Sequence, residues 1–214
     1  MVILKINARA KPAASRVLLP CRRSPTNAFL LAQFARGGFT LNREAAQVIL
    51  SIGGESPNDI QHLAHEVWNF AVQKSVGAQE IDLALAKILQ DLSPMGEAWL
   101  ALLSKHQTRV LLATALFDHL GSSTEEFKRA AGVRNPGAIK SALMPCTSSS
   151  DPIVEKIASR YRVRSRYLRL WVSTRRHLVQ EMIPTLRDET RYQAALRQVC
   201  QQLPEDLRLG VDRD

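Results

Sequence analysis

From Asn27 onward the chain alternates short apolar segments with turn residues, and the apolar positions recur at the i, i+3, i+4 spacing of helices with one buried stripe. "NAFLLAQFARGG" stops on Gly37 and Gly38, which supply a left-handed C-terminal cap. "LNREAAQVILSIGG" repeats the plan, with Asn42 as N-cap and Gly53 and Gly54 as the stop. A third segment, "ESPNDIQHLAHEVWNFAVQKSVG", sets Ile60, Leu63, Ala64, Val67, Trp68 and Ala71 on one face. A fourth, "AQEIDLALAKILQDLS", does so with Ile81, Leu83, Leu85, Ile88 and Leu89. Together they predict a small all-α bundle over residues 27–93, closed by Ser93 and Pro94.

The second unit is expected over residues 94–180. "GEAWLALLSKHQTRVLLATALFDHLG" reads as a helix, a break at Ser104 and a longer helix ending at Gly121. "SSTEEFKRAAGV" offers Ser123 as N-cap with Glu126 three residues on, a capping box, and Gly132 as the stop. "RNPGAIKSALMP" places Asn135 as N-cap and Pro136 at the first helical position, where its missing N–H costs nothing. Two short helices joined by a tight turn form a helix-turn-helix signature.

After the polar "TSSSD", the runs "PIVEKI" and "RYRVR" alternate with period two and are separated only by Ala158 and Ser159, which predicts a hairpin. A hairpin directly after a helix-turn-helix predicts a winged helix. Its second strand sends Tyr161 and Val163 to one side and Arg160, Arg162 and Arg164 to the other. From Tyr167 the period returns to helical, with Tyr167, Leu168, Leu170 and Trp171 on one face. Residues 181–214 hold a last amphipathic helix, about Glu189 to Leu203, and a polar tail; residues 1–26 form an irregular lead-in that begins with the strand-like "MVILKI". The expected fold is mainly α: a small helical bundle, then a winged helix-turn-helix domain with a short β-hairpin.

A length of 214 residues with 45% hydrophobic content suffices for one good core or two small ones, which excludes a disordered chain. The 29 Lys and Arg against 20 Asp and Glu give a net charge of +9 and a pI near 9.9, which points to nucleic acid or another polyanion as a partner. Cys21, Cys146 and Cys200 are few, odd in number and without a CxxC spacing, so neither a disulfide framework nor a thiolate metal site is expected. There is no apolar run of the roughly 18 residues a membrane helix needs, and no signal-peptide pattern. A soluble, cytoplasmic protein without a membrane partner is expected.

Two stretches carry a family resemblance. "GGESPNDIQHLAHEVWNFA", Gly53 to Ala71, resembles the "GG.P..IQ.LA...W" segment that opens the late lid helices of AAA+/STAND-type ATPases, the class often called archaeal-type. "RYRVRSRYLRLW", Arg160 to Trp171, resembles the "RYRV.DP.LRLW" end of the winged helix that follows the lid in that class, with Ser165 and Arg166 standing in place of the Asp-Pro pair. The order of lid, linker, helix-turn-helix and wing also agrees over residues 27–175. The resemblance implies an AAA+ lid-like bundle followed by the winged helix, with Asn58 and Gln61 proximal to nucleotide in the full-length relatives.

The chain holds no G-x-x-x-x-G-K-[ST] loop and no apolar strand ending in paired acids, so the phosphate cradle and magnesium ligands of those ATPases are missing from it. The expectation is a non-catalytic C-terminal module, acting in DNA binding or regulatory interaction. It needs no cofactor of its own and meets ATP and magnesium only if a separate core domain is supplied. Two alternatives stand beside it: a truncated or split ATP-binding protein whose P-loop half is encoded separately, and a protein-only adaptor.

For double-stranded DNA, the side chains able to reach a groove or phosphate are Arg134, Asn135 and Lys140 on the recognition helix, with Arg160, Arg162 and Arg164 on the wing. The plainer reading has Asn135 as a cap only and the cations as a solvated basic face. His62 and His65 with Glu66 begin a metal-like spacing but find no third ligand, and Trp68, Trp99 and Trp171 read as core anchors. There is no nucleophile in a recognisable catalytic setting.

Overall fold

The computed structural model describes residues 23–54, 56–71, 75–148 and 152–200; the expected strand at "MVILKI" and the end of the last expected helix lie outside them. Among the described residues the chain is mainly helical, with ten α-helices and two short two-stranded ladders.

The first four helices are α1 (Arg23–Arg36), α2 (Arg43–Gly53), α3 (Pro57–Phe70) and α4 (Ala78–Ala101). Asn42 caps α2 as its sequence position predicts, its Oδ1 accepting the Ala45 N–H at 2.6 Å. Ser56 does the same for α3 through the Asp59 N–H, with Pro57 at the first helical position. Between them, β1 (Thr40–Leu41) pairs in parallel with β2 (Ser75–Val76), a ladder too short to leave a period in the sequence.

The helix end expected at Ser93–Pro94 does not fall there, since α4 runs through both residues to Ala101. Pro94 has no N–H to give the preceding turn, a defect that ordinarily ends a helix. Here the same two turns form a joint with the second half. Ser93 Oγ accepts the Trp171 indole N–H at 2.8 Å and the Arg175 guanidinium at 3.0 Å. Glu97 takes the same guanidinium at 2.7 Å, and Arg175 lies over the Trp171 ring, 4.6 Å from its centroid. Tertiary contacts therefore gather where local propensity would end the helix.

The second half comprises α5 (Lys105–Leu116), α6 (Glu125–Ala131) and α7 (Pro136–Thr147), then β3 (Val154–Ile157) and β4 (Arg160–Val163) as an antiparallel hairpin. The hairpin turn is Ala158–Ser159 as expected, with Ala158 left-handed at φ 52°. The expected Ser123 cap is corrected to Thr124, whose Oγ1 accepts the Phe127 N–H at 3.3 Å. Helix α5 ends at Leu116 rather than near Gly121 because the Ala115 carbonyl and Asp118 are taken by Arg169, from outside the helix.

The chain closes with α8 (Arg166–Ser173), α9 (Arg176–Met182) and α10 (Glu189–Cys200). Helix α8 is buried almost all round, with Leu168, Leu170, Trp171 and Val172 all under a tenth exposed. It packs on α4 and α5, so it ties the first four helices to the next three, and α10 closes over it by donating the Tyr192 hydroxyl to the Ser173 carbonyl at 3.0 Å. The buried apolar residues form one contiguous cluster from Leu30 to Val199.

Candidate nucleic-acid interface

The sequence-predicted residues fall into three groups. On α7, Ile139, Ala142, Leu143 and Cys146 are buried, and burial in that apolar setting pushes the Cys146 thiol up to about 11. The opposite face carries Gly137, Lys140, Ser141 and Met144 at i, i+3, i+4, i+7 and is exposed. Asn135 is the N-cap, with Oδ1 accepting the Ala138 N–H at 2.9 Å, which leaves its amide nitrogen for an outside acceptor. Arg134 and Lys140 are exposed and have no ion pair among the described residues.

From Phe127 to Ser150 the chain contains Lys128, Arg129, Arg134 and Lys140 but no Asp or Glu. Lys140, the one cation of α7, and Arg134 just before the helix therefore have no acid near them in sequence, and the local charge there is positive.

The hairpin behaves differently. Tyr161 and Val163 are buried and Arg160, Arg162 and Arg164 lie outward, as period-two alternation predicts. Yet Arg162 already holds Glu155 on the facing strand, with Nε at 3.0 Å and Nη2 at 2.9 Å from Oε1. Arg164 donates to the Pro152 carbonyl at 3.1 Å, while Arg160 stays exposed with no ion pair among the described residues. The turn is tied back to the α5–α6 connection, because Ser159 O accepts both the Ser122 N–H at 3.1 Å and its hydroxyl at 2.9 Å. Such a tip sits against the body of the protein.

Three arginines that the sequence reading left out of any site turn inward, each onto the C-terminal carbonyls of a helix. Arg166 reaches Ser51 O at 2.5 Å in the last turn of α2, Arg169 reaches Ala115 O at 2.8 Å on α5, and Arg109 reaches Ala130 O and Arg129 O at 2.8 and 2.9 Å on α6. The last carbonyls of a helix lack intrahelical donors and carry the negative end of its dipole, so a guanidinium satisfies them twice over. At two of these sites a glycine is required. Gly54 and Gly132 have φ of 64° and 68°, and a Cβ on either would come within 2.3 and 2.5 Å of the Arg166 and Arg109 guanidinium carbons. A helix-stop glycine was legible in the sequence; the arginine lying over it, far away in the chain, was not.

Asn58 and Gln61 are both exposed in the first turns of α3. Asp59 between them is buried, its Oδ2 accepting the Arg166 backbone N–H at 3.2 Å and its carbonyl the Tyr167 hydroxyl at 2.5 Å. Desolvation raises the Asp59 carboxyl above its ordinary value of 3.8, against the smaller opposing pull of Arg166 and His62. A carboxylate with a raised folded-state pKa binds its proton more tightly folded than unfolded, so its contribution to stability is greatest in acid and is lost as pH rises through that pKa. We expect urea denaturation of the wild-type protein and of Asp59→Asn, compared from pH 4 to pH 7, to show the wild type losing stability relative to the variant as pH rises. A pH-independent difference would mean that Asp59 titrates normally.

Histidines 62 and 65 assemble no metal-binding group, and neither does any other His, Cys, Asp or Glu set among the described residues. No helix among them is long and apolar enough to cross a membrane. Comparison with models of known protein families, with curated proteins and with solved structures finds no match for this chain.

Proposed function

We propose that the chain is a non-catalytic module in which α5, α6, α7 and the β3–β4 hairpin act as a winged helix-turn-helix that binds double-stranded DNA through the exposed face of α7. The observation that carries this reading is the acid-free stretch from Phe127 to Ser150, which puts Arg134, the Asn135 amide and Lys140 at one end and along one face of a single helix. An α-helix of that kind fits the major groove, with Arg134 and Asn135 near base edges and Lys140 on phosphate. Of the three wing arginines, Arg162 is engaged by Glu155 and Arg164 donates to the Pro152 carbonyl, so Arg160 is the one best placed for phosphate attraction.

The wider reading, an AAA+/STAND-type lid bundle with its winged helix, rests on the two motif resemblances. It is supported by where they meet: Arg166 and Tyr167 of "RYRVRSRYLRLW" bond to Ser51 and Asp59 in and beside "GGESPNDIQHLAHEVWNFA". In this reading Arg166, at the place of the family's proline, supplies an added bond between lid and wing, and Asn58 and Gln61 face a nucleotide only when a separate core domain brings one.

Binding of labelled duplex across a salt series tests the DNA reading. Affinity should fall steeply with salt, and Lys140→Glu should weaken it by about tenfold with a shallower salt slope, Arg134→Glu similarly. Arg162→Gln should change it by less than about twofold, because a partly exposed pair with Glu155 already competes for that charge. Absence of binding at low salt, or affinity untouched by both reversals on α7, would leave a protein-only docking role.

A further inference from the structure

A groove of about 490 Å³ opens between α6 and α10, on elements the proposed DNA contact does not use. Its floor is apolar: Phe117, Ala130, Leu186 and Ala195 line it, and each is less than a tenth exposed. Its volume lies in the range of small-molecule sites, which combine an apolar body with a few polar groups. Arg129 stands on one wall and Arg191 on the other.

Both arginines are fixed at the backbone and unengaged at the head. The Arg129 carbonyl is held by Arg109 at 2.9 Å, and the Arg191 N–H by Asp188 Oδ1 at 2.9 Å. Two of the nearby acids are committed elsewhere. Glu125 pairs with Lys128, and Glu189 pairs with Arg176 at 2.7 Å while accepting from Gln180 and Gln193. Neither guanidinium has an ion pair among the described residues. The remaining charge in the groove is Glu126, one turn before Arg129, and Gln198 adds an amide.

We propose that this groove binds a small monoanion, a carboxylate carried on an apolar body. Arg129 and Arg191 line the groove from α6 and α10, and guanidinium is the side chain best suited to hold a carboxylate by charge-assisted hydrogen bonds. The apolar floor takes the body of the ligand. Glu126 offsets one of the two cations, which favours a single negative charge over a dianion and leaves an acceptor for a donor group on the ligand.

The test is a heteronuclear NMR titration of the full chain with N-acetyl-L-leucine, 4-phenylbutyrate and octanoate, each paired with its neutral primary amide. At least one carboxylate should give saturable shifts centred on the Ala130, Ala194 and Ala195 amides, with a Kd on the order of 1 mM, and its amide should bind at least tenfold more weakly. Arg129→Gln and Arg191→Gln lie on the surface and should leave the remaining spectrum unchanged while each weakens the carboxylate about tenfold. The proposal is overturned if no carboxylate saturates by about 10 mM, if acid and amide bind alike, or if both variants bind as the wild type does. None of these results bears on the proposed DNA contact, which is made by Arg134, Asn135, Lys140 and Arg160.

Discussion

Replacing Arg169 by alanine should destabilise the protein by about 3–5 kcal/mol, the cost of breaking a buried pair from one side. Arg169 is 6% exposed, and its guanidinium holds Asp118 Oδ1 at 2.7 Å and the Ala115 carbonyl at 2.8 Å. The variant would leave the Asp118 carboxylate, itself mostly shielded, without its counter-charge, and the end of α5 without a donor. For a chain of this length the loss corresponds to a fall in melting temperature of roughly 6–20 °C. Removing Asp118 as well, in Arg169→Ala/Asp118→Ala, should cost clearly less than the sum of the two single variants, because the second change removes a charge already stranded. Chemical denaturation of the four proteins decides it. A loss below about 1 kcal/mol for Arg169→Ala would place the pair among solvent-screened surface bridges.

Gly96→Ala should destabilise by about 2 kcal/mol, with the opposite sign to that of helix propensity. Gly96 is buried inside α4, where alanine ordinarily gains about 1 kcal/mol over glycine. A Cβ there would stand 2.5 Å from two ring carbons of Trp171, which is only 3% exposed. The ring cannot retreat freely, since its indole nitrogen is bonded to Ser93 Oγ and Arg175 lies across its face. Overpacking of such a contact costs roughly 1–3 kcal/mol or more and so outweighs the propensity gain. In a Trp171→Leu background the same Gly96→Ala change should become neutral or stabilising, because the obstructing ring is gone. Thermal unfolding of the pair of backgrounds measures this. If Gly96→Ala stabilises the protein with Trp171 in place, α4 and α8 do not meet as closely as described.

Much of the helical plan was legible because it is local. Caps at Asn42 and Asn135, stops at Gly54 and Gly132, proline at the start of α7, and the alternation that turns Tyr161 and Val163 inward all depend on neighbours within a few residues. Two of the misplacements have a different origin. Pro94 sits inside a helix and α5 stops early because Trp171, Arg175 and Arg169 act on those places from far along the chain.

The candidate interface divides in the same way. The exposed Lys140 of α7 and Arg134 before it follow from period and from the local absence of acids, whereas Arg162 is engaged across the hairpin and the groove between α6 and α10 exists only where two distant helices converge. In the stretch "SRYRVRSRYLRLW", sequence determined the strand, the turn into a helix and the apolar face. Only the folded chain decided that Arg166 and Arg169 are helix-end donors while Arg162 is engaged by Glu155. Periodicity reports which side of an element is buried; it carries no information on which carbonyl or carboxylate a long charged side chain will find there, since that partner is set by contacts across the chain.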